Sequence, residues 1–135
     1  MGFRADAIKR EYKNSSKDEF MKWLSENFDE NTNSIYFATY NDDIPSVGFV
    51  RSNKVNGYFQ QFDTKLHRTT FGQGIFTNGK LTFVWFFSTN DGNVPVEMTT
   101  SSLYEACEWK KVCKDDEKIW THLYPSDDSE TWIYL

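Results

Sequence analysis

Leu81-Thr82-Phe83-Val84-Trp85-Phe86-Phe87 is dominated by apolar residues on both alternating sets of positions, so as a strand it has no face to give to water. Such a strand belongs in the middle of a sheet with material packed on both sides. Just before it stands Asn78-Gly79, a pair that readily takes positive φ at both positions and closes a tight type I′ hairpin. Residues 69–77 and 80–88 therefore read as antiparallel partners. Gly72 and Gly74, inside the first of them, predict a bulge or a close approach by another backbone.

Outward from this hairpin, Ile35 to Tyr40 is β-branched and aromatic and reads as a strand. Asn41-Asp42-Asp43 has turn chemistry, and Ser46 to Val50 reads as a second strand completing another hairpin. Upstream, Ala5, Ile8 and Tyr12 recur at helical spacing, which predicts a helix over 3–13. Asn14-Ser15-Ser16 breaks it and offers caps to a second helix that buries Phe20, Leu24 and Phe28, with Met21 beside them. Val55, Tyr58, Phe59, Phe62 and Leu66 fall on one stripe and predict a single third helix. Lys54, Gln61, Lys65 and Arg68 lie together on one flank of that stripe, and Gln60, Asp63 and His67 on the other.

Leu103 to Cys113 is open to two readings. Ser102 with Glu105 makes a helix capping box, whereas Leu103, Cys107 and Trp109 share a face at the strand period. Residues 115–124 read as a helix with Asp115, Asp116 and Glu117 in its first turn, where the helix dipole favours acids. Trp132-Ile133-Tyr134-Leu135 is too apolar to dangle and should dock on the body.

With 135 residues and 18% aromatic side chains, the chain has enough large rings to form the core of one domain and too many for disorder. No run approaches the length of a membrane span, and no charged-then-apolar opening suggests a signal peptide. Met1-Gly2 invites myristoylation, but Asp6 stands where Ser or Thr is needed. Asn14-Ser15-Ser16 has the form of a glycosylation acceptor, without a secretory signal to give it use. Cys107 and Cys113 fit no common zinc spacing and read as reduced thiols.

The net charge of −5 is unevenly spread. Residues 44–90 carry five basic side chains (Arg51, Lys54, Lys65, Arg68, Lys80) against Asp63 alone, while residues 91–135 carry four Lys and ten acids. Two solvated faces would suffice to explain this; a positive patch for an acidic partner would use it. For catalysis, the candidates are few. Asp63 and His67 sit four apart on one helix flank, which a solvated ion pair also explains. His122 lies beside Trp120 and Leu123 as a packing residue would. The two thiols stand among Lys110, Lys111 and Lys114, cations that would lower a thiol pKa if they approached it. There is no phosphate-cradling glycine loop, metal-ligand cluster or nucleophile elbow, so the sequence points to no catalytic residue, cofactor or metal.

Several stretches resemble one family in order. Ile8-Lys9-Arg10-Glu11-Tyr12-Lys13-Asn14, Glu26-Asn27-Phe28-Asp29, Ser34 to Tyr40 and Tyr104 to Val112 each parallel a segment of the C-terminal domain of translation elongation factor 1-gamma. Ser52-Asn53-Lys54-Val55-Asn56-Gly57-Tyr58-Phe59-Gln60-Gln61-Phe62-Asp63 is the best match. Asn33, Thr39 and Gln61 stand where the family has Trp, Glu and Arg, so the core pattern transfers further than any polar site. The resemblance implies an α+β domain, with a single antiparallel sheet of about five strands and helices packed around it. It also implies that residues 103–112 are strand. It implies a non-catalytic, cytoplasmic scaffold in the elongation factor 1B exchange complex, with the other elongation factor 1 subunits as partners and no cofactor. The family's glutathione-transferase-like domain is not in this sequence, which is expected to be a fragment or a reduced protein. The candidate contact surface is Lys54, Tyr58, Lys65 and Arg68. Cations beside rings would serve RNA or a ribosome equally well, and a small thiol or histidine enzyme is the third reading.

Overall fold

A computed structural model describes residues 5–29, 33–41, 43–62, 64–88, 93–125 and 128–134, apart from the side chains of Ala5, Asp6, His67 and Arg68. Its centre is the predicted hairpin. β2 (Thr70–Thr77) and β3 (Lys80–Phe87) pair antiparallel from Thr70↔Phe87 to Thr77↔Lys80. Asn78 at φ 52° and Gly79 at φ 76° make the turn. β3 is the middle strand of a five-stranded sheet ordered β4-β1-β3-β2-β5, where β1 is Ser34–Tyr40, β4 Cys107–Val112 and β5 Glu130–Tyr134. Every neighbouring pair is antiparallel.

Helices cover both faces. On one side α1 (Ala5–Asn14), α2 (Lys17–Asn27) and α7 (Lys118–Leu123) bury Ile8, Phe20, Leu24, Ile119 and Leu123 against Ile35, Phe71, Val84 and Phe86. On the other, α3 (Gly48–Gln61), α4 (Thr64–Thr69), α5 (Val96–Thr99) and α6 (Ser102–Ala106) bury Val55, Phe62, Leu66, Met98 and Leu103 against Phe83, Trp85 and Phe87. Alternation along β3 divides its residues between the two cores, which is why its sequence is apolar at both parities. Ser16 starts α2 with a full capping box: its hydroxyl takes the Glu19 N–H at 3.3 Å and its own N–H goes to the Glu19 carboxylate at 3.1 Å. Trp132 and Tyr134 dock through β5 on the edge of β2.

The structure corrects six expectations. Ser46–Val50 is not a strand; the chain enters α3 at Gly48, because β1 already pairs with β3 on one side and β4 on the other and has no edge to offer. The single third helix is two. Phe62 leaves α3 in extended backbone at ψ 142°, and α4 begins at Thr64, yet the predicted apolar stripe still faces one core. Residues 103–112 divide: Ser102–Ala106 is helix and Cys107–Val112 is strand. The cap of that helix is Ser101, which accepts from the Tyr104 N–H, one position ahead of the capping residue that the sequence suggests. The last helix is shorter than predicted, with residues 115–117 lying outside it and Lys118 its first residue. Finally, Gly72 and Gly74 admit rings, not a backbone. A Cβ on Gly72 would lie 2.2 Å from the Trp85 ring, and one on Gly74 2.7 Å from the Phe83 ring. The predicted loops around residues 31–32 and 90–92 lie outside the described residues.

Candidate functional site

The predicted contact surface is built on α3 and its continuation. Lys54, Tyr58 and Gln61 recur at helical spacing along α3, so they share a face. Lys54 is half-buried, its Nζ 5.6 Å from the centre of the Tyr40 ring, a distance at which a cation is attracted to the π face. The Tyr40 and Tyr58 hydroxyls are 3.1 Å apart, with the rings edge to face. The break after Gln61 puts Lys65 on α4, where it is exposed; Arg68 belongs to the same short helix, with its side chain outside the described set. The structure thus joins Lys54 and Tyr58 through Tyr40, which sequence periodicity could not find, and places Lys65 on the next helix.

Not every cation of the basic region is available. Arg51 pairs with Glu130 of β5, donates from Nη1 to the Pro45 carbonyl at 2.9 Å, and lies 4.1 Å above the Phe76 ring. Beside it the Trp132 indole donates to Ser52 Oγ at 3.1 Å. Arg51 is therefore a pin between α3 and the sheet edge. Its tertiary partner, 79 residues away in sequence, left no local signal.

The catalytic candidates meet different fates. Cys107 is buried, and desolvation pushes its thiol up to about 12, the opposite of an activated nucleophile. Cys113 is exposed. His122 stacks on Phe37 at 4.7 Å between ring centres, and both nitrogens are engaged. The Lys118 carbonyl, 2.9 Å from Nδ1, can only accept, so Nδ1 carries the proton and Nε2 accepts from the Thr82 hydroxyl at 2.9 Å. Burial, the largest influence, holds the imidazole pKa below its ordinary value, so it is neutral at pH 7. A hollow of about 310 Å³ opens beside Thr82 and His122, and an adjoining one of about 320 Å³ reaches Tyr124. Asp63 and the His67 side chain lie outside the described residues. Among the described residues no three His, Cys, Asp or Glu side chains are grouped to hold a metal, and no helix is long and apolar enough to cross a membrane.

A five-stranded antiparallel sheet between two helical layers, with a cation–ring contact and a tyrosine pair on an outer helix, defines an α+β domain. The model of the elongation factor 1 gamma conserved domain matches residues 1–89, which span α1 through β3. The chain belongs to that family, and its role lies in translation elongation with the elongation factor 1 complex. No curated protein matches the chain.

Proposed function

We propose that this chain is a non-catalytic, cytoplasmic scaffold of the elongation factor 1B complex, docking an acidic segment of another complex subunit on the flank of Lys54, Tyr58, Lys65 and Arg68. The family match over residues 1–89 carries this reading, since it covers all four residues. The physical support is local. Lys54 is held over Tyr40 in a half-buried position, so its charge is presented with little loss of side-chain freedom on binding. A buried, raised-pKa thiol and a histidine with both nitrogens committed favour contact over catalysis.

The test is affinity capture from a lysate of the source cells with the purified chain as bait. The other elongation factor 1 subunits should be enriched, and Lys54→Glu with Lys65→Glu should lose them while keeping the native circular dichroism. Recovery of none by the unmodified chain overturns the reading. The alternative ligand for the same cations beside the Tyr58 ring is RNA. In that case the logarithm of affinity for single-stranded RNA falls linearly and steeply with the logarithm of salt concentration.

A further inference from the structure

The segment Thr99-Thr100-Ser101-Ser102 presents four consecutive hydroxyls, and the fold uses them differently. Thr99 Oγ1 donates back to the Val96 carbonyl at 2.9 Å and Thr100 Oγ1 to the Glu97 carbonyl at 3.2 Å. Ser101 Oγ donates to the Met98 carbonyl at 2.6 Å and caps α6. Each of these three is tied to its own local backbone. Ser102 is exposed, and its hydroxyl instead reaches across 41 residues to Gln61 Oε1, 3.1 Å away. Gln61 is the last residue of α3, on the same face as Lys54 and Tyr58. Seven residues of helix separate Gln61 from Lys54, about 10 Å along the axis. Lys65 lies four residues beyond Gln61, and α4, which carries it, touches α5 just ahead of Ser102. Ser102 therefore stands at the rim of the cationic flank.

Ser102 also differs in its downstream neighbour. Three residues on from Thr99, Thr100 and Ser101 stand Ser102, Leu103 and Tyr104; three on from Ser102 stands Glu105, itself exposed. A carboxylate at that offset is what a kinase with a basic substrate pocket selects. Both residues are exposed on the five-residue α6.

We propose that Ser102 is a phosphorylation site for an acid-directed protein kinase, and that its phosphate turns off the neighbouring Lys54/Lys65 contact surface. Ser102 Oγ attacks the γ-phosphorus of the kinase-bound nucleoside triphosphate. The Oγ–P bond forms as the bond to the nucleoside diphosphate breaks, and the hydroxyl proton passes to the kinase's base. The product carries about −1.5 to −2 charge at pH 7. It replaces a neutral donor to Gln61 with a dianion within about one Debye length of the flank lysines. An acidic partner segment then meets repulsion where it met attraction. The switch rests on the partner-binding reading; the modification site itself does not.

The experiment takes the full chain, an acid-directed kinase and magnesium ATP, maps the phosphate by tandem mass spectrometry, and then measures poly-glutamate binding by fluorescence anisotropy. Phosphate should appear on Ser102, vanish in Ser102→Ala, and fall at least fivefold in initial rate in Glu105→Gln, both variants keeping native circular dichroism. Stoichiometric modification should weaken poly-glutamate binding roughly fivefold, as a few charge pairs near 10 Å in water predict. A native protein that takes no phosphate on Ser102, whatever it takes on Thr99, Thr100, Ser101 or another serine with an acid three residues on such as Ser16, overturns the site. Unchanged binding after full modification of Ser102 overturns the switch. Absence of poly-glutamate affinity in the unmodified protein overturns the docking reading and the switch with it, whatever the phosphate map.

Discussion

Gly72, Gln73 and Gly74 are consecutive on β2, yet they serve two differently built halves of the molecule. Toward α3, the two glycines are recesses that admit the rings of Trp85 and Phe83, and the half-core they join is aromatic: Phe59 and Phe62 meet Trp85 edge-on, at 6.0 and 5.8 Å between centres. Toward α1 and α7, Gln73 is a buried amide. Its oxygen takes the Tyr12 hydroxyl at 3.0 Å, and its NH₂ donates to the His122 and Leu123 carbonyls at 3.0 and 3.3 Å. One half-core is specified by shape, where an added methyl finds no room. The other is specified partly by hydrogen bonds, where a lost partner strands a buried polar group.

The sharpest break of this contrast is Gly72→Val. With a Trp85 ring carbon 2.2 Å from the position of a new Cβ, the substitution should cost about 3 kcal/mol or more in urea unfolding. Trp85→Leu in the same chain should recover part of that loss, a coupling that independent sites would not show. On the opposite face Gln73→Leu keeps the volume roughly constant but leaves the Tyr12 hydroxyl and the α7 carbonyls without their partner. About 2 kcal/mol should be lost. Tyr12→Phe in that background should then add less than it costs alone.

Titration separates the halves again. The folded pKa of His122 lies below its ordinary 6.5, so between the two values the unfolded chain binds the extra proton. Stability from this group is complete above pH 6.5 and falls as pH drops toward the folded pKa; His122→Gln should flatten that slope in thermal unfolding. Cys107, on the aromatic side, has the contrary sign. Its thiol is raised to about 12, so its contribution is present below pH 9 and is lost as pH rises through that range. In native protein at pH 8 a disulfide reagent should titrate Cys113 promptly and Cys107 only on unfolding. The smallest effect is a gain. Gly57 lies inside α3 with nothing within 4 Å of a Cβ, so Gly57→Ala should stabilise by about 0.5–1 kcal/mol.

Several of these features could be read without coordinates. The hairpin and its Asn78-Gly79 turn, the central place of Leu81–Phe87, the first two helices and the docking of residues 132–134 all follow from local periodicity and turn chemistry. So does the sharing of one face by Lys54 and Tyr58, since helical spacing is a property of the backbone alone. The misplacements share another origin. Val47, Phe49 and Val50 are residues that strands favour, but they remain exposed at 47%, 71% and 39%, because both edges of β1 are already taken. The continuous stripe from Val55 to Leu66 gave no warning of the bend at Phe62, whose ring seats between Trp85 and Tyr134. Among the site residues, Tyr40 beneath Lys54 and Gln61 beside Ser102 are contacts across 14 and 41 residues, which no local pattern encodes.

What the chain settled alone is the set of short-range matters: where glycine and asparagine permit a reversal, which rings must leave water, and which charges lie on a common helical face. Partner choice was settled only by the assembled sheet. Its edges are finite, its two faces demand different packing, and residues distant in sequence compete for each place. Strand order, the turn between α3 and α4, the Arg51–Glu130 pin and the surroundings of Lys54 and Ser102 are outcomes of that competition.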